Sequence, residues 1–187
     1  MTTSADPWFP VRTERLVLRD FWLQDFDDVH AYGSDPEVAR FMEWTPNTPE
    51  QTREFLARAL DEQSRWPRFD FGLAIELLTA GRVIGSIGLH LRDGPNRTAE
   101  IGYCLNREFW RQGLASEAAR ALIDAGFKRL GLHRIFATCD VRNTASLAVM
   151  EKLGMRREGC FTQDRRIKGE WRDTYAYAAL ARDWIIA

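Results

Sequence analysis

Between Ile101 and Ala119 the chain reads IGYCLNREFWRQGLASEAA, a short apolar strand that passes through a glycine turn into a strong helix. The first amides of a helix have no intrahelical partner and converge with the positive end of its dipole, so such a junction binds anions, and a pyrophosphate suits it well. Gly113 lets backbone approach closely, small Ala115 keeps the mouth of the helix open beside Leu114, Ser116 can add a hydroxyl donor, and Arg111 can add charge next to Gln112. The turn is neither a Walker loop nor a GxGxxG fingerprint, because Gly113 has no glycine partners at the required spacings. A lone glycine between strand and helix also suits an ordinary turn.

A second unit decides between these readings. Strand-like Arg134-Ile135-Phe136-Ala137-Thr138-Cys139 leads to Asn143-Thr144-Ala145-Ser146, which opens a helix ending in Glu151-Lys152-Leu153-Gly154-Met155. The pair resembles the GNAT acyltransferases, whose (Q/R)xxGx(G/A) turn is matched by Trp110-Arg111-Gln112-Gly113-Leu114-Ala115 except that Trp replaces the first residue. Trp at that place, the NxxS helix start and the EKLG-type end are similar to the RimJ/RimL-type ribosomal-protein N-acetyltransferases. The resemblance runs from Arg12-Thr13-Glu14-Arg15-Leu16-Val17-Leu18-Arg19 to Asp183-Trp184.

The resemblance implies transfer of an acetyl or other short acyl group from acyl-CoA to a primary amine, by direct attack in a ternary complex. It needs no metal, and orientation supplies much of the rate. Acetyl-CoA would lie with its pyrophosphate on Arg111, Gln112, Gly113, Leu114, Ala115 and Ser116. Its pantetheine would pair with backbone of Tyr103 and Leu105, whose side chains read as core, and would meet Asn143, which also suits a helix cap. Lys152 would meet a phosphate or stay solvated. Glu100 is the candidate general base; the alternative is a strand glutamate paired with an arginine such as Arg97. Ser146 is the candidate acid for the leaving thiolate, or else a local capping hydroxyl. Many relatives use a tyrosine nearer the helix end, where this chain has Met150, whose thioether donates no proton. That difference motivates a second reading, a non-catalytic acyl-CoA sensor.

The acceptor is open between a protein N-terminus, a small-molecule amine and a lysine. An α-amino group titrates near pKa ~8, about two units below lysine, which favours N-terminal or amino-acid amines. Trp44, Trp66, Trp171, Asp164, Glu170 and Asp173 fall in segments that surround the acceptor groove in relatives, although tryptophan more often packs and Asp173 could brace a hairpin.

Composition sets the frame for these sites. With 187 residues, 45% of them hydrophobic, and no linker, one domain over 1–187 is expected. A net charge of −1 and the absence of a basic block exclude a nucleic-acid footprint, so a ribosomal link would involve protein rather than RNA. Met1 to Pro10 has no leader pattern and no apolar run reaches membrane-spanning length, which suggests a cytoplasmic chain; the resemblance implies a monomer or homodimer. Cys104, Cys139 and Cys160 are too scattered for a disulfide framework and read as core; Cys104 lies beside the expected thioester but lacks a basic neighbour to activate it. His30, His90 and His133 have no metal-ligand spacing.

Periodicity gives the elements that must position the site. Strands are expected at Thr13 to Phe21, Phe69 to Leu77, Val83 to Leu91, Ala99 to Leu105, Arg134 to Cys139, Arg156 to Asp164 and Thr174 to Leu180. Helices are expected at Asp25 to Gly33 with an aspartate cap, Pro36 to Met42, and Pro49 to Arg65 capped by Thr48. A fourth helix follows Gly113, and its crossover makes the next strand parallel. The sum is an α+β fold: a mixed, mostly antiparallel twisted sheet of about seven strands with flanking helices; the GNAT resemblance implies that its two parallel strands splay apart beyond a bulge and admit pantetheine.

Overall fold

The computed structural model describes residues 9–184, so both ends of the expected 1–187 domain, and most of the leader reading, lie outside the described residues. One sheet runs through them with strand order β1-β2-β3-β4-β5-β6-β8-β7. Its strands are β1 (Val11–Arg12), β2 (Leu16–Arg19), β3 (Asp70–Leu77), β4 (Arg82–Asp93), β5 (Thr98–Leu105), β6 (Arg134–Asp140), β7 (Arg156–Ile167) and β8 (Glu170–Leu180). Only β5 and β6 are parallel. The sheet thus has eight strands instead of about seven. The expected strand at Thr13 to Phe21 is a bend at 13–15 followed by β2, and the preceding two residues pair back on it, Val11 with Leu18. Two residues carry no readable period.

Helices α1 (Phe26–Gly33), α2 (Pro36–Ala39) and α3 (Pro49–Ser64) precede β3; α4 (Leu114–Lys128) joins β5 to β6, α5 (Thr144–Lys152) joins β6 to β7, and α6 (Ala181–Trp184) follows β8. Thr48 caps α3 as its sequence requires: its Oγ1 accepts from Gln51 N–H at 3.3 Å, and Gln51 Oε1 accepts from Thr48 N–H at 2.8 Å. Asp25 does not cap α1. Its carboxylate turns to Arg19, taking two bonds at 2.8 and 2.9 Å, because that buried guanidinium must be paired.

Alternation along the strands splits the core. Ala74 and Val83 face α1 and α3 with Phe21, Tyr32 and Leu56, whereas their neighbours Leu73, Ile75 and Ile84 face the α4 side. On α4, Leu114, Ala118, Leu122 and Ala125 recur at helical spacing and are buried beside Ala119 and Ile123. Gly126 brings this helix close to the sheet, since a Cβ there would lie 2.8 Å from Ile135 Cδ1. Burying Leu122 and Ile123 completely is worth about 1.5–3 kcal/mol each and fixes the height of the Gly113 turn over β5.

Candidate active site

β5 and β6 pair only through Thr98–Arg134, Ala99–Ile135 and Glu100–Phe136. Beyond Glu100, β5 continues alongside β4 as far as Leu105, and β6 continues alongside β8 as far as Asp140. The two parallel strands therefore part, as expected; the β4–β5 register shifts once, between Leu91 and Asp93 opposite Ala99 and Thr98, and is regular from Leu91–Ala99 to Gly85–Leu105.

At one side of the opening the Gly113 turn leads into α4. Gly113 is left-handed, φ 76°, and so is Arg111, φ 60°. A Cβ on Gly113 would be 3.6 Å from Arg15 Nη2 and 3.8 Å from Lys152 Nζ, so two cations stand over the turn. A pocket of about 270 Å³ is lined by Arg15, Gln112, Gly113, Ser116, Glu117, Arg120, Lys152 and Leu153. Its charge comes from Arg15, Arg120 and Lys152. Arg111 is exposed and is not among the lining residues, and Leu114 is buried in the core. Gln112 contributes backbone to this wall; its side-chain amide donates to Glu108 carbonyl oxygen at 3.0 Å. Arg15 and Arg120 escaped the sequence reading because nothing local ties residue 15 to residue 113.

Glu117 takes bonds from Thr13 Oγ1 at 2.6 Å, Arg15 N–H at 3.0 Å and Arg15 Nε at 2.7 Å. Burial pushes its carboxyl up, but these donors outweigh it and hold the group below its usual value.

On the other side of the opening stands α5. Asn143 Oδ1 accepts from Ser146 N–H at 3.1 Å, so Asn143 is its cap. Ser146 Oγ lies 3.2 Å from Tyr103 Oη, the phenol reaching across from β5. The Tyr103 side chain packs against the core, as expected, and its hydroxyl in addition meets the candidate acid. Burial pushes the phenol up to about 12. Met150 is buried in the core, 1% exposed. Trp110 Nε1 donates to the Leu105 carbonyl oxygen at 2.8 Å, so that acceptor is already occupied.

Glu100 is the last paired residue before the opening. Arg92 clasps its Oε2 with Nε at 3.0 Å and Nη2 at 2.7 Å, and Thr138 Oγ1 donates to Oε1 at 3.2 Å. Its ionic partners are thus Arg92 on β4 and, 4.0 Å from Oε1, Arg165 on β7, rather than Arg97. Arg165 reaches the same place, bonding Thr138 at 3.2 Å and Glu43 at 2.9 Å.

The acceptor-side residues divide. Asp164 accepts from Thr174 Oγ1, and Asp173 accepts from Gln163 N–H at 2.8 Å, so both brace the β7–β8 hairpin. Trp66 and Trp171 are exposed instead of packed, at 78% and 60%. Of the cysteines, Cys160 is exposed, against the core reading. Cys104 bonds Ser86 at 3.1 Å, and burial pushes its thiol up. Among the described residues no group of three His, Cys, Asp or Glu side chains could hold a metal, and no helix is long and apolar enough to cross a membrane.

A parted parallel strand pair with a cation-flanked glycine turn at a helix start fits an acyl-CoA-dependent acyltransferase, and comparison with known proteins gives that class. The chain belongs to the GNAT family of N-acetyltransferases: residues 15–156 match its acetyltransferase (GNAT) domain. It is 37% identical over 173 residues to the uncharacterized N-acetyltransferase p20 of Bacillus licheniformis, covering 92% of this chain and 96% of that protein. The crystal structure of a GNAT-family acetyltransferase from Bacillus anthracis superposes with a TM-score of 0.83 at 37% identity, over 93% of this chain and 99% of that one. RimL, a ribosomal L7/L12 α-N-protein acetyltransferase in complex with coenzyme A, shares the fold with a TM-score of 0.82 at 22% identity, over 92% and 98% of the two chains. Shorter stretches match the putative ribosomal N-acetyltransferase YdaF of Bacillus subtilis, 37% identical over 113 residues, and the ribosomal-protein-serine acetyltransferase of Escherichia coli, 34% identical over 98 residues, which supports the expected RimJ/RimL-type branch.

Proposed function

We propose that this N-acetyltransferase moves an acetyl group from acetyl-CoA to the α-amine of a protein N-terminus or of a small molecule, by direct attack in a ternary complex. The observation that carries the reading is the opening itself: an anion turn on one side, a pair of hydroxyls on the other, and a carboxylate where the strands part. Coenzyme A fits these residues. Gly113 leaves room that a Cβ would fill beneath Arg15 and Lys152, and Ser116 completes the wall. Asn143 and the β5 backbone at Tyr103 would line the pantetheine arm, with the Leu105 contribution reduced by Trp110. When bound, acetyl-CoA would supply the activated acyl group.

The chain's own groups then divide the proton work. Ser146 holds a hydroxyl proton where the leaving sulfur needs one, and Tyr103 fixes that hydroxyl. Glu100 receives the proton of the incoming amine, directly or through water, while Arg92 and Thr138 hold its carboxylate still. An α-amine, with a pKa of about 8, asks least of such a base, and acceptors of ribosomal-protein type in the relatives agree with it. The sensor reading rested on the missing tyrosine at Met150; the Tyr103–Ser146 pair supplies a donor without it.

The test mixes purified protein with acetyl-CoA and a panel of N-terminal peptides, amino acids and polyamines, following thiol release and acetylated products by mass spectrometry. Amine-dependent release with an acetylated α-amine is expected, and coenzyme A binding without turnover on any amine would restore the sensor. Gly113→Glu places a carboxylate between Arg15 and Lys152; unchanged coenzyme A affinity in this variant would sink the cradle assignment.

A further inference from the structure

Arg15 stands in the bend between β1 and β2, far in sequence from the Gly113 turn, yet it is bound into that turn from two directions. Its Nη1 donates to the Gln112 carbonyl oxygen at 3.0 Å. Its Nε donates to Glu117 Oε2 at 2.7 Å, and Nη2 lies 2.6 Å from the same oxygen. Both partners would oppose a bound pyrophosphate. The Gln112 carbonyl is a negative dipole end at the mouth of the helix, and the Glu117 carboxylate forms part of the wall of the same pocket. An acid in the first turn of a helix is favourable to the bare helix dipole but repels an anion bound there.

We propose that Arg15 is the positioning residue of the coenzyme cradle: its fork draws the Gln112 carbonyl aside and cancels the Glu117 charge, so that the turn presents only amides and cations to the phosphates. This rests on the acyl-CoA reading above. Planar guanidinium geometry is needed, because one side chain must serve a carbonyl and a carboxylate at once. Thr13 assists by bonding the other Glu117 oxygen at 2.6 Å, which orients the carboxylate towards the bend and away from the phosphates. The arrangement explains why an acidic residue is tolerated at the start of a phosphate-binding helix: it serves to anchor the cation.

The test compares wild type, Arg15→Gln, and the double variant Arg15→Gln/Glu117→Gln, using calorimetric coenzyme A binding and steady-state kinetics with the acceptor from the screen. Arg15→Gln is expected to raise Kd and KM for the coenzyme about tenfold or more, the scale of one lost charge-compensating contact, with kcat little changed. Adding Glu117→Gln should recover part of that loss, because the uncompensated carboxylate is gone. Acetyl-pantetheine, which lacks the pyrophosphate, should be used by every variant as well as by wild type. Loss that is equal with acetyl-pantetheine, or not relieved in the double variant, would overturn the assignment in favour of a merely structural arginine. Should Arg15→Gln fail to fold, the double variant carries the test: a KM for acetyl-CoA raised about threefold with acetyl-pantetheine unaffected supports it, and an unchanged KM overturns it. Wild-type protein that does not bind coenzyme A would instead remove the acyl-CoA reading itself.

Discussion

Tyr103 Oη lies 3.2 Å from Ser146 Oγ, a bond between residues 43 positions apart that joins β5 to the first turn of α5 across the opening of the sheet. Either hydroxyl can be the donor of this pair, and Tyr103 Oη also lies 3.4 Å from the Ser146 carbonyl oxygen, so the phenol holds the start of α5 in place. Tyr103→Phe keeps the ring and removes the hydroxyl, so kcat should fall about tenfold, the scale of one lost hydrogen bond, with KM for acetyl-CoA nearly constant. Ser146→Ala should fall further. Because burial holds the phenol at about 12, the pH profile of kcat should show no limb from Tyr103 between pH 6 and 10, and a limb that vanished in Tyr103→Phe would contradict this role.

What was legible in the sequence was local. Gly113, Asn143 and Thr48 are read from neighbours within four residues, and the structure gives each the backbone role expected of it. The pairs that finish the site are not local. Tyr103 with Ser146, Arg15 with Glu117, and Arg92 with Glu100 join separate elements, and no periodicity reports which side chain on one strand meets which on another. Arg97, the partner expected for Glu100, has a left-handed backbone (φ 50°) in the turn before β5, while Arg92 lies on the adjacent strand, two positions along from Glu100's register partner His90. The β7–β8 hairpin was underestimated for a similar reason: it extends to Ile167 and Glu170 through irregular pairing around left-handed Gln163, which breaks the alternation.

The Glu100 assignment is tested through its dependence on the amine. A base is needed most while the acceptor is still an ammonium ion, so Glu100→Gln should lower kcat by about a hundredfold near pH 7. The deficit should shrink as pH rises past the α-amine pKa of about 8. A pH-independent deficit would make Glu100 a structural partner of Arg92, and the companion variant Arg92→Lys, which keeps the charge, separates loss of the ion pair from loss of the base.

The stability of the acceptor side depends on Asp140, whose carboxylate accepts from Arg142 and, at 3.2 Å, from the buried Arg172. Arg142 chiefly, and then Arg172, hold the carboxyl below its ordinary value against the opposing effect of burial. A depressed carboxyl pKa contributes stability that is complete above the unfolded value of about 3.9 and is lost as pH falls through the folded value. Asp140→Asn should therefore cost about 3 kcal/mol at pH 7, since it leaves the buried Arg172 with only the exposed Glu170 carboxylate, 3.6 Å away, as counter-ion. The gap from wild type in denaturant melts should narrow below about pH 4. A gap constant with pH would show that shape, not charge, is what Asp140 supplies.

The cysteines separate direct attack from a two-step route through an acyl-enzyme, which requires a thiolate. Burial pushes Cys104 up, and it pushes Cys139 up to about 11, so neither is a ready nucleophile near neutral pH. Cys160 alone is exposed, on the outermost strand β7 and outside the lining of the Gly113 pocket. Iodoacetamide at pH 8 should therefore alkylate Cys160 first, leave Cys104 and Cys139 until the protein is unfolded, and leave acetyl transfer nearly unchanged. Cys104→Ala should likewise retain activity, losing only the contact with Ser86. Rapid alkylation of Cys104 with parallel loss of turnover, or an acetyl group trapped on it in the absence of acceptor amine, would replace direct attack by the covalent route.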